Sequence, residues 1–281
     1  MKKRCFCLFL LCSILLICSS PSSACRFWVA SSKKMPDLIV REQLLSLPHS
    51  LKQLGHEYKD GWSVAFFKGP AALIARSEKS SISDERFDQA VEAASNAHAE
   101  VVIGHLRLAS SGCQEGVANP HPFQRYDGGH HWLFGHNGGL NKELLISLIS
   151  EDYLKAHPPE ACKDNPPESW VDSELYFIYI LKKIDEAKGN VLNGLKSAVS
   201  ELAQHIKDED QYLNFFLTDG KEVWAYKKGM SLFYAYDQKN RLSIISSAVP
   251  GEDQFEWKEF PEDNFALLRP NRKPKFYAST K

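Results

Sequence analysis

Hydrophobic and polar positions fall into two rhythms along this chain. Apolar alternation and β-prone runs predict strands over residues 26–30, 62–67, 72–76, 101–108 and 131–134, the second and third flanking the turn Lys68-Gly69-Pro70. Helical spacing predicts helices over 38–47, 84–99 (capped by Ser83 or Asp84), 140–149 and 172–186. Leu195, Val199, Leu202 and Ile206 then fall at steps of four, three and four, one face of a further amphipathic helix. Beyond it, 212–218, 222–227, 232–236 and 241–247 read as a meander-like antiparallel run, with Gly220 and Gly229 in its first two turns. Residues 112–129 and the Pro-rich stretch 157–167 read as loops, and the basic tail from Pro270 as surface. Strands, then helices, then strands again, without βαβ alternation, give an α+β class of antiparallel sheets covered by helices. No interdomain linker is visible, so residues 25–281 are expected to form one domain.

The first 24 residues stand apart. Lys2, Lys3 and Arg4 precede an uncharged apolar run from Cys5 to Cys18, and small polar residues then lead to Ala24. This is the layout of a secretory signal peptide cleaved after Ala24. The run is short for a bilayer crossing, so the expectation is export, periplasmic or secreted, without a stable membrane span. Four of the seven cysteines leave with the leader, and Cys25, Cys113 and Cys162 stay. In an oxidising compartment that count suggests one bridge, Cys113–Cys162, and a leftover thiol at Cys25, the new first residue. Losing three basic residues leaves 31 basic against 35 acidic ones, a net charge of −4. That balance argues against a nucleic-acid partner, and 43% hydrophobic residues suit a soluble globular protein.

Cleavage would place a thiol and a free α-amine on one residue. The amine's ordinary pKa of about 7.7–8.0 leaves part of it neutral near pH 7, and an N-terminal amine can activate its own nucleophile. Lipid modification of Cys25 is the competing fate, although Ser22 stands three positions upstream where bacterial lipoproteins carry an aliphatic residue. Arg107 closes the strand run Gly104-His105-Leu106-Arg107, and arginine suits bidentate capture of a carboxylate. An edge ion pair is its ordinary use. Asn137-Gly138 follows an apolar strand but precedes a helical pattern, which weakens the hairpin reading. A side-chain amide beside a glycine N–H is the composition of an oxyanion hole. Asp172 opens a helix, where aspartate is a favoured cap in any case.

Six segments in order, Cys25-Arg26-Phe27-Trp28, Asp60-Gly61-Trp62, His105-Leu106-Arg107, Asn119-Pro120-His121-Pro122-Phe123, His136-Asn137-Gly138 and Asp172-Ser173-Glu174, resemble the class II glutamine amidotransferases. The resemblance runs from Cys25 to about Leu181. It is nearer the stand-alone members than the large synthases, since no second catalytic domain is read after it. It implies the N-terminal-nucleophile hydrolase fold, an αββα sandwich. It also implies Cys25 as nucleophile with its α-amine as general base, and Asn137 and Gly138 as the oxyanion hole over a γ-glutamyl thioester. Arg107 would hold the substrate α-carboxylate, Asp172 its α-ammonium, and His121 a structural position. Leu108, Ser110 and Ser111 depart from the Trp, Thr and His of some members, and Ser63 from a common glycine. The expected partner is a small-molecule γ-glutamyl amide; a homodimer is left open.

Rival readings stay open on the sequence. His105, His121, His130, His131 and His136 crowd into 105–136, but no HExxH or paired CxxC accompanies them, so neither metal nor cofactor is expected. N-terminal-cysteine hydrolases of the penicillin acylase and bile-salt hydrolase kind share the start of the chain. A non-catalytic exported binding protein would keep the sandwich without turnover.

Overall fold

Strand β1 (Arg26–Ser31) shows why the layers form. Its Phe27 and Val29 join one apolar cluster, while Trp28 and Ala30 join another. Alternate side chains of a strand face opposite sides of the sheet, so this strand is apolar on both faces and must be covered on both. The computed structural model describes residues 25–108, 121–162, 164–206, 212–251 and 255–280. The other strands are β2 (Trp62–Lys68), β3 (Ala71–Ser77), β4 (Val101–Leu106), β5 (Phe123–Asp127), β6 (His130–Gly139), β7 (Tyr212–Thr218), β8 (Val223–Lys227), β9 (Phe233–Asp237), β10 (Leu242–Ser246), β11 (Lys258–Glu259), β12 (Asn264–Leu268) and β13 (Lys275–Ala278). The helices are α1 (Asp37–Arg41), continued by a wider π turn over Glu42–Ser46, α2 (Leu51–Leu54), α3 (Glu85–Asn96), α4 (Lys142–Ile149), α5 (Glu151–Ala156), α6 (Asp172–Glu186) and α7 (Val191–His205).

Among the described residues the strands form two antiparallel sheets, in the orders β11-β9-β10-β1-β4-β2-β3 and β13-β12-β8-β7-β6-β5. Three cores separate four layers. Phe27, Val29, Ile103, Phe216 and Ala266 fill the space between the sheets. Phe27 and Phe216 meet there edge to face, their centroids 5.2 Å apart; burying each such ring contributes about 1.5–3 kcal/mol. Leu44, Phe87 and Val91 pack the first helical layer on the outer face of one sheet. Leu145, Phe177, Leu195 and Leu202 pack the second on the other. The result is the αββα sandwich expected. No described helix is long and apolar enough to cross a membrane.

The structure corrects several local expectations. Residues 112–129 are not all loop, because Phe123–Asp127 forms the edge strand β5, hairpin-paired to β6 across Gly128-Gly129. Its sides alternate in exposure and it carries little apolar residue, so its signal is faint. The supposed meander is two hairpins in different sheets. β7 and β8 lie in one sheet, β9 and β10 in the other. The crossing between them is held by Asn214, whose Nδ2 donates to the Met230 carbonyl (2.8 Å) and whose Oδ1 accepts from the Lys228 amide (2.7 Å). The basic tail also pairs, as β13 on β12.

Candidate active site

Cys25 stands one residue ahead of β1. In the pairing of β1 with β4, Phe27 lies opposite His105 and Arg26 opposite Leu106. Val101 and Ile103 of β4 face the other sheet, and a period of two carries that face on to His105 and Arg107. On β6, Leu133 faces the same gap, and the same period carries it to Asn137. β1 and β6 pack against each other across the gap. The residues singled out on three strands thus converge on one end of the inter-sheet layer.

The Cys25 thiol is free and half-buried, with a long contact of 3.8 Å to the Leu108 carbonyl. Burial pushes its pKa up; the Leu108 contact and the Arg107 charge pull it part-way back, while Asp172 opposes them. Arg107 and Asp172 are therefore both close enough for their charges to be felt at the sulfur. Arg26 braces the position: its Nη1 donates to the Cys25 carbonyl (3.1 Å), and its guanidinium lies 4.4 Å from the centre of the Tyr58 ring. Arg107 is fixed through its backbone, donating to the Gly61 carbonyl (2.9 Å) and accepting from the Asp60 amide (3.2 Å). Gly61 has φ +129, and a Cβ there would stand 2.7 Å from the Ser77 carbonyl oxygen. The Asp60-Gly61-Trp62 segment is thus a backbone clamp on Arg107.

Asn137 is buried, and among the described residues neither its Nδ2 nor its Oδ1 has a hydrogen-bond partner. Gly138 lies opposite Leu213 of β7, whose amide is turned the other way, to Lys228. In an antiparallel pair the N–H and C=O of a residue point to the same side, so Gly138 also directs its N–H away from β7. Pairing of β6 with β5 ends at Phe134, so no β5 residue meets it there. A Cβ at Gly138 would fall 2.2 Å from the Tyr212 carbonyl oxygen.

The Asp172-Ser173-Glu174 segment is a junction. Asp172 Oδ2 accepts from the Leu140 amide (2.9 Å), which ties α6 to the end of β6. Ser173 Oγ lies 3.0 Å from His136 Nδ1, and the other nitrogen of that ring lies 2.8 Å from the Tyr212 carbonyl. Glu174 accepts from the amides of Glu160 (2.7 Å) and Ala161 (2.9 Å) and pairs with Arg125 at 3.3 Å. Burial raises the Glu174 pKa, offset in part by those amides and Arg125. The sequence marked Asp172 but gave no sign of what Glu174 holds.

A family model for class-II glutamine amidotransferases matches residues 43–250. The chain belongs to this family. Cys25 lies ahead of the matched span. "Putative glutamine amidotransferase YafJ" of Escherichia coli is 27% identical over 177 residues, 60% of either chain. "Putative glutamine amidotransferase" of Haemophilus influenzae is 25% identical over 175 residues, 60% of this chain and 52% of its own. The chain thus spans about half to three-fifths of the curated relatives it matches. The Bacillus subtilis glutamine phosphoribosylpyrophosphate amidotransferase, solved with ADP and GMP, aligns with a TM-score of 0.61 at 15% identity, covering 91% of this chain and 49% of that one. A glutamine aminotransferase class-II domain protein of Silicibacter pomeroyi gives 0.56 at 13% identity, covering 90% and 99%. These likenesses establish the fold, that of N-terminal-nucleophile hydrolases.

Of the described departures from the class II pattern, Ser63 has a local explanation, and nothing in the structure explains the leucine at 108, which meets Cys25 through its backbone. Ser63, buried opposite His105, donates its hydroxyl to the His121 carbonyl. Leu108 offers its carbonyl to the Cys25 thiol. Ser110, Ser111, Asn119, Pro120 and Cys113 lie outside the described residues. Cys162 is disulfide-bonded. The five crowded histidines do not gather: His130 lies 3.1 Å from Asp219, His131 packs on Tyr126, and His136 is held as above. His105 and His121 do meet, Nε2 to Nδ1 at 3.0 Å.

Burial, with help from Arg107 and Arg76, lowers the His105 pKa to about 3. Burial and the neighbouring His105 push His121 down too. Unfolded histidine titrates near about 6.5. Below that value the unfolded chain binds protons that the fold refuses, so this stability is whole above pH 6.5 and is lost as the pH falls towards the folded values. At pH 5.5 the pair is expected to cost about 2.5 kcal/mol of stability relative to neutral pH. Thermal unfolding at pH 7.5 and 5.5 reads this directly. An unmoved midpoint would contradict the burial of neutral rings.

Proposed function

We propose that this chain is an exported amidohydrolase that cleaves a glutamine-like γ-glutamyl amide through a thioester on Cys25, releasing ammonia or an amine. The unpartnered Asn137 amide, buried on the inter-sheet face that Cys25 adjoins, carries the reading. A buried amide without a partner costs about 1–3 kcal/mol per polar group, and a site that binds an oxyanion gives that cost a use.

Removal of residues 1–24 turns the Cys25 backbone nitrogen from an amide into an amine. The thiol, its pKa raised by burial, then needs a base, and the α-amine carried by the same residue serves as one. It takes the proton as sulfur attacks the γ-carbonyl carbon. Asn137 Nδ2 and the Gly138 N–H receive the oxyanion. The resulting α-ammonium hands the proton to the departing nitrogen, leaving the γ-glutamyl thioester. Water, deprotonated by the same amine, completes hydrolysis. Arg107 and Asp172 pair with the α-carboxylate and α-ammonium of the substrate, which sets its register against the sulfur. Export would separate the chain from cytosolic acceptors of ammonia, which favours hydrolysis over synthesis.

Intact mass of the exported protein, before and after an electrophilic glutamine analogue, tests the reading. The expected result is a chain beginning at Cys25 with one adduct mapped to that residue. An acylated Cys25, or a leader still attached to active protein, would overturn it.

A further inference from the structure

Cys25 offers its sulfur, and His105 and His121 one ring nitrogen each, within 4.8 Å of one another. The proposed chemistry uses the cysteine and neither histidine. Both rings are buried, and the nitrogens facing away from their mutual contact, His105 Nδ1 and His121 Nε2, have no hydrogen-bond partner among the described residues. Two neutral rings in contact share one N–H between the facing nitrogens. Whichever ring donates, one outer nitrogen is then a bare lone pair and the other an unused N–H. Each such group costs about 1–3 kcal/mol if nothing else is gained.

A thiolate and two imidazoles form a donor set suited to a borderline-soft cation, and Cys/His combinations are characteristic of zinc. Zinc–nitrogen bonds of about 2.0–2.1 Å at tetrahedral angles put two ligand nitrogens about 3.3 Å apart. The facing nitrogens here are 3.0 Å apart, so the histidine pair already has nearly the required bite. Rotation about the cysteine Cα–Cβ bond is the adjustment available to the sulfur.

We propose that Cys25, His105 and His121 form a binding site for a thiophilic divalent cation of the zinc type, and that the bound ion caps the nucleophile. The protons balance without a co-reactant. The thiol releases one proton to solvent as its sulfur binds the metal. The ring that donated between the histidines moves its N–H to the outer nitrogen, and the two facing lone pairs bind the ion. Both rings remain neutral. Water can take the fourth position, or the α-amine in a chain beginning at Cys25, closing a five-membered ring through Cα and Cβ. The site itself requires only the three side chains; the block on turnover rests on the proposed role of Cys25.

Cobalt(II) as a spectroscopic substitute, followed by its displacement with zinc, tests this on the purified protein. One equivalent should give a sulfur-to-metal charge-transfer band with tetrahedral d–d absorption. Cys25→Ser should abolish the band, and His105→Gln or His121→Gln should weaken zinc binding at least about 10-fold. Zinc should also protect Cys25 in the unaltered protein from a thiol alkylator, and a chelator should reverse that, an arm that needs no variant to fold. Absence of the band together with undiminished alkylation would overturn the site. So would zinc binding that survives Cys25→Ser and leaves alkylation unchanged. Binding at Cys25 with γ-glutamyl amide hydrolysis unaffected would leave the site standing and remove Cys25 as nucleophile.

Discussion

Replacing Cys25 by alanine is expected to lower γ-glutamyl amide hydrolysis by about 10⁴-fold or more, the scale on which a covalent nucleophile contributes. That is at least about 5.4 kcal/mol of transition-state stabilisation. Cys25→Ser should also lose most of the rate, because a hydroxyl is far harder for an amine of ordinary basicity to activate. Folding should scarcely register either change, since the side chain is half-buried and, among the described residues, its thiol makes one long hydrogen-bond contact of 3.8 Å. A chain that keeps Ala24 ahead of Cys25 separates the two proposed functions of the residue. It retains the thiol but carries an amide in place of the base, and its rate should fall with the cysteine variants. A chromogenic γ-glutamyl anilide reports all three. Full activity in Cys25→Ala would remove the nucleophile from the scheme, and full activity with Ala24 retained would remove the amine alone.

How much of this was legible in the chain depended on whether a feature is local. The bounds of α6, Asp172–Glu186, and of β7, Tyr212–Thr218, coincide with those read from the sequence. In both, a polar or Pro-rich break meets a strong apolar pattern. β5 was hidden because an edge strand alternating between buried and exposed positions resembles a polar loop. The crossing from β8 to β9 was hidden for another reason: Gly229 marks a change of direction, but no local residue says which sheet the next strand joins. That choice is made by Asn214, fourteen residues before Lys228, whose side chain holds the turn.

The site divides in the same way. Cys25, Arg107, Asn137, Gly138 and Asp172 stand out as candidates in the sequence because each lies in a short segment with its own signal. The contact of His105 with His121 was not visible, since it depends on the register of β4 between β1 and β2 and on the return of the chain at His121. Counting histidines by sequence distance put His105 and His121 in one group with His130, His131 and His136 and did not single out the pair that meets. The usable signal was the two-residue period of β4, which places His105 on the inter-sheet face adjoining Cys25.

Asn137→Ala is expected to reduce kcat by about 10²–10³-fold, or about 2.7–4 kcal/mol, with KM nearly unchanged. The amide is needed when the oxyanion forms and hardly before, so its loss falls on the transition state. Stability should move the other way or not at all. The wild-type side chain holds two buried polar atoms without partners among the described residues, each costing about 1–3 kcal/mol, and alanine removes both at the expense of a small cavity. Gly138→Ala provides the contrast. Its Cβ would meet the Tyr212 carbonyl oxygen at 2.2 Å and His136 Nε2 at 2.8 Å, and the first of these belongs to the paired backbone of β7. The strands must separate, so about 1–3 kcal/mol of stability should go with the activity. Steady-state kinetics and thermal unfolding of the two variants therefore distinguish a group kept for the oxyanion from one kept for close backbone approach. If Asn137→Ala lost stability in proportion to its rate, Asn137 would be a packing residue and the oxyanion assignment would fall.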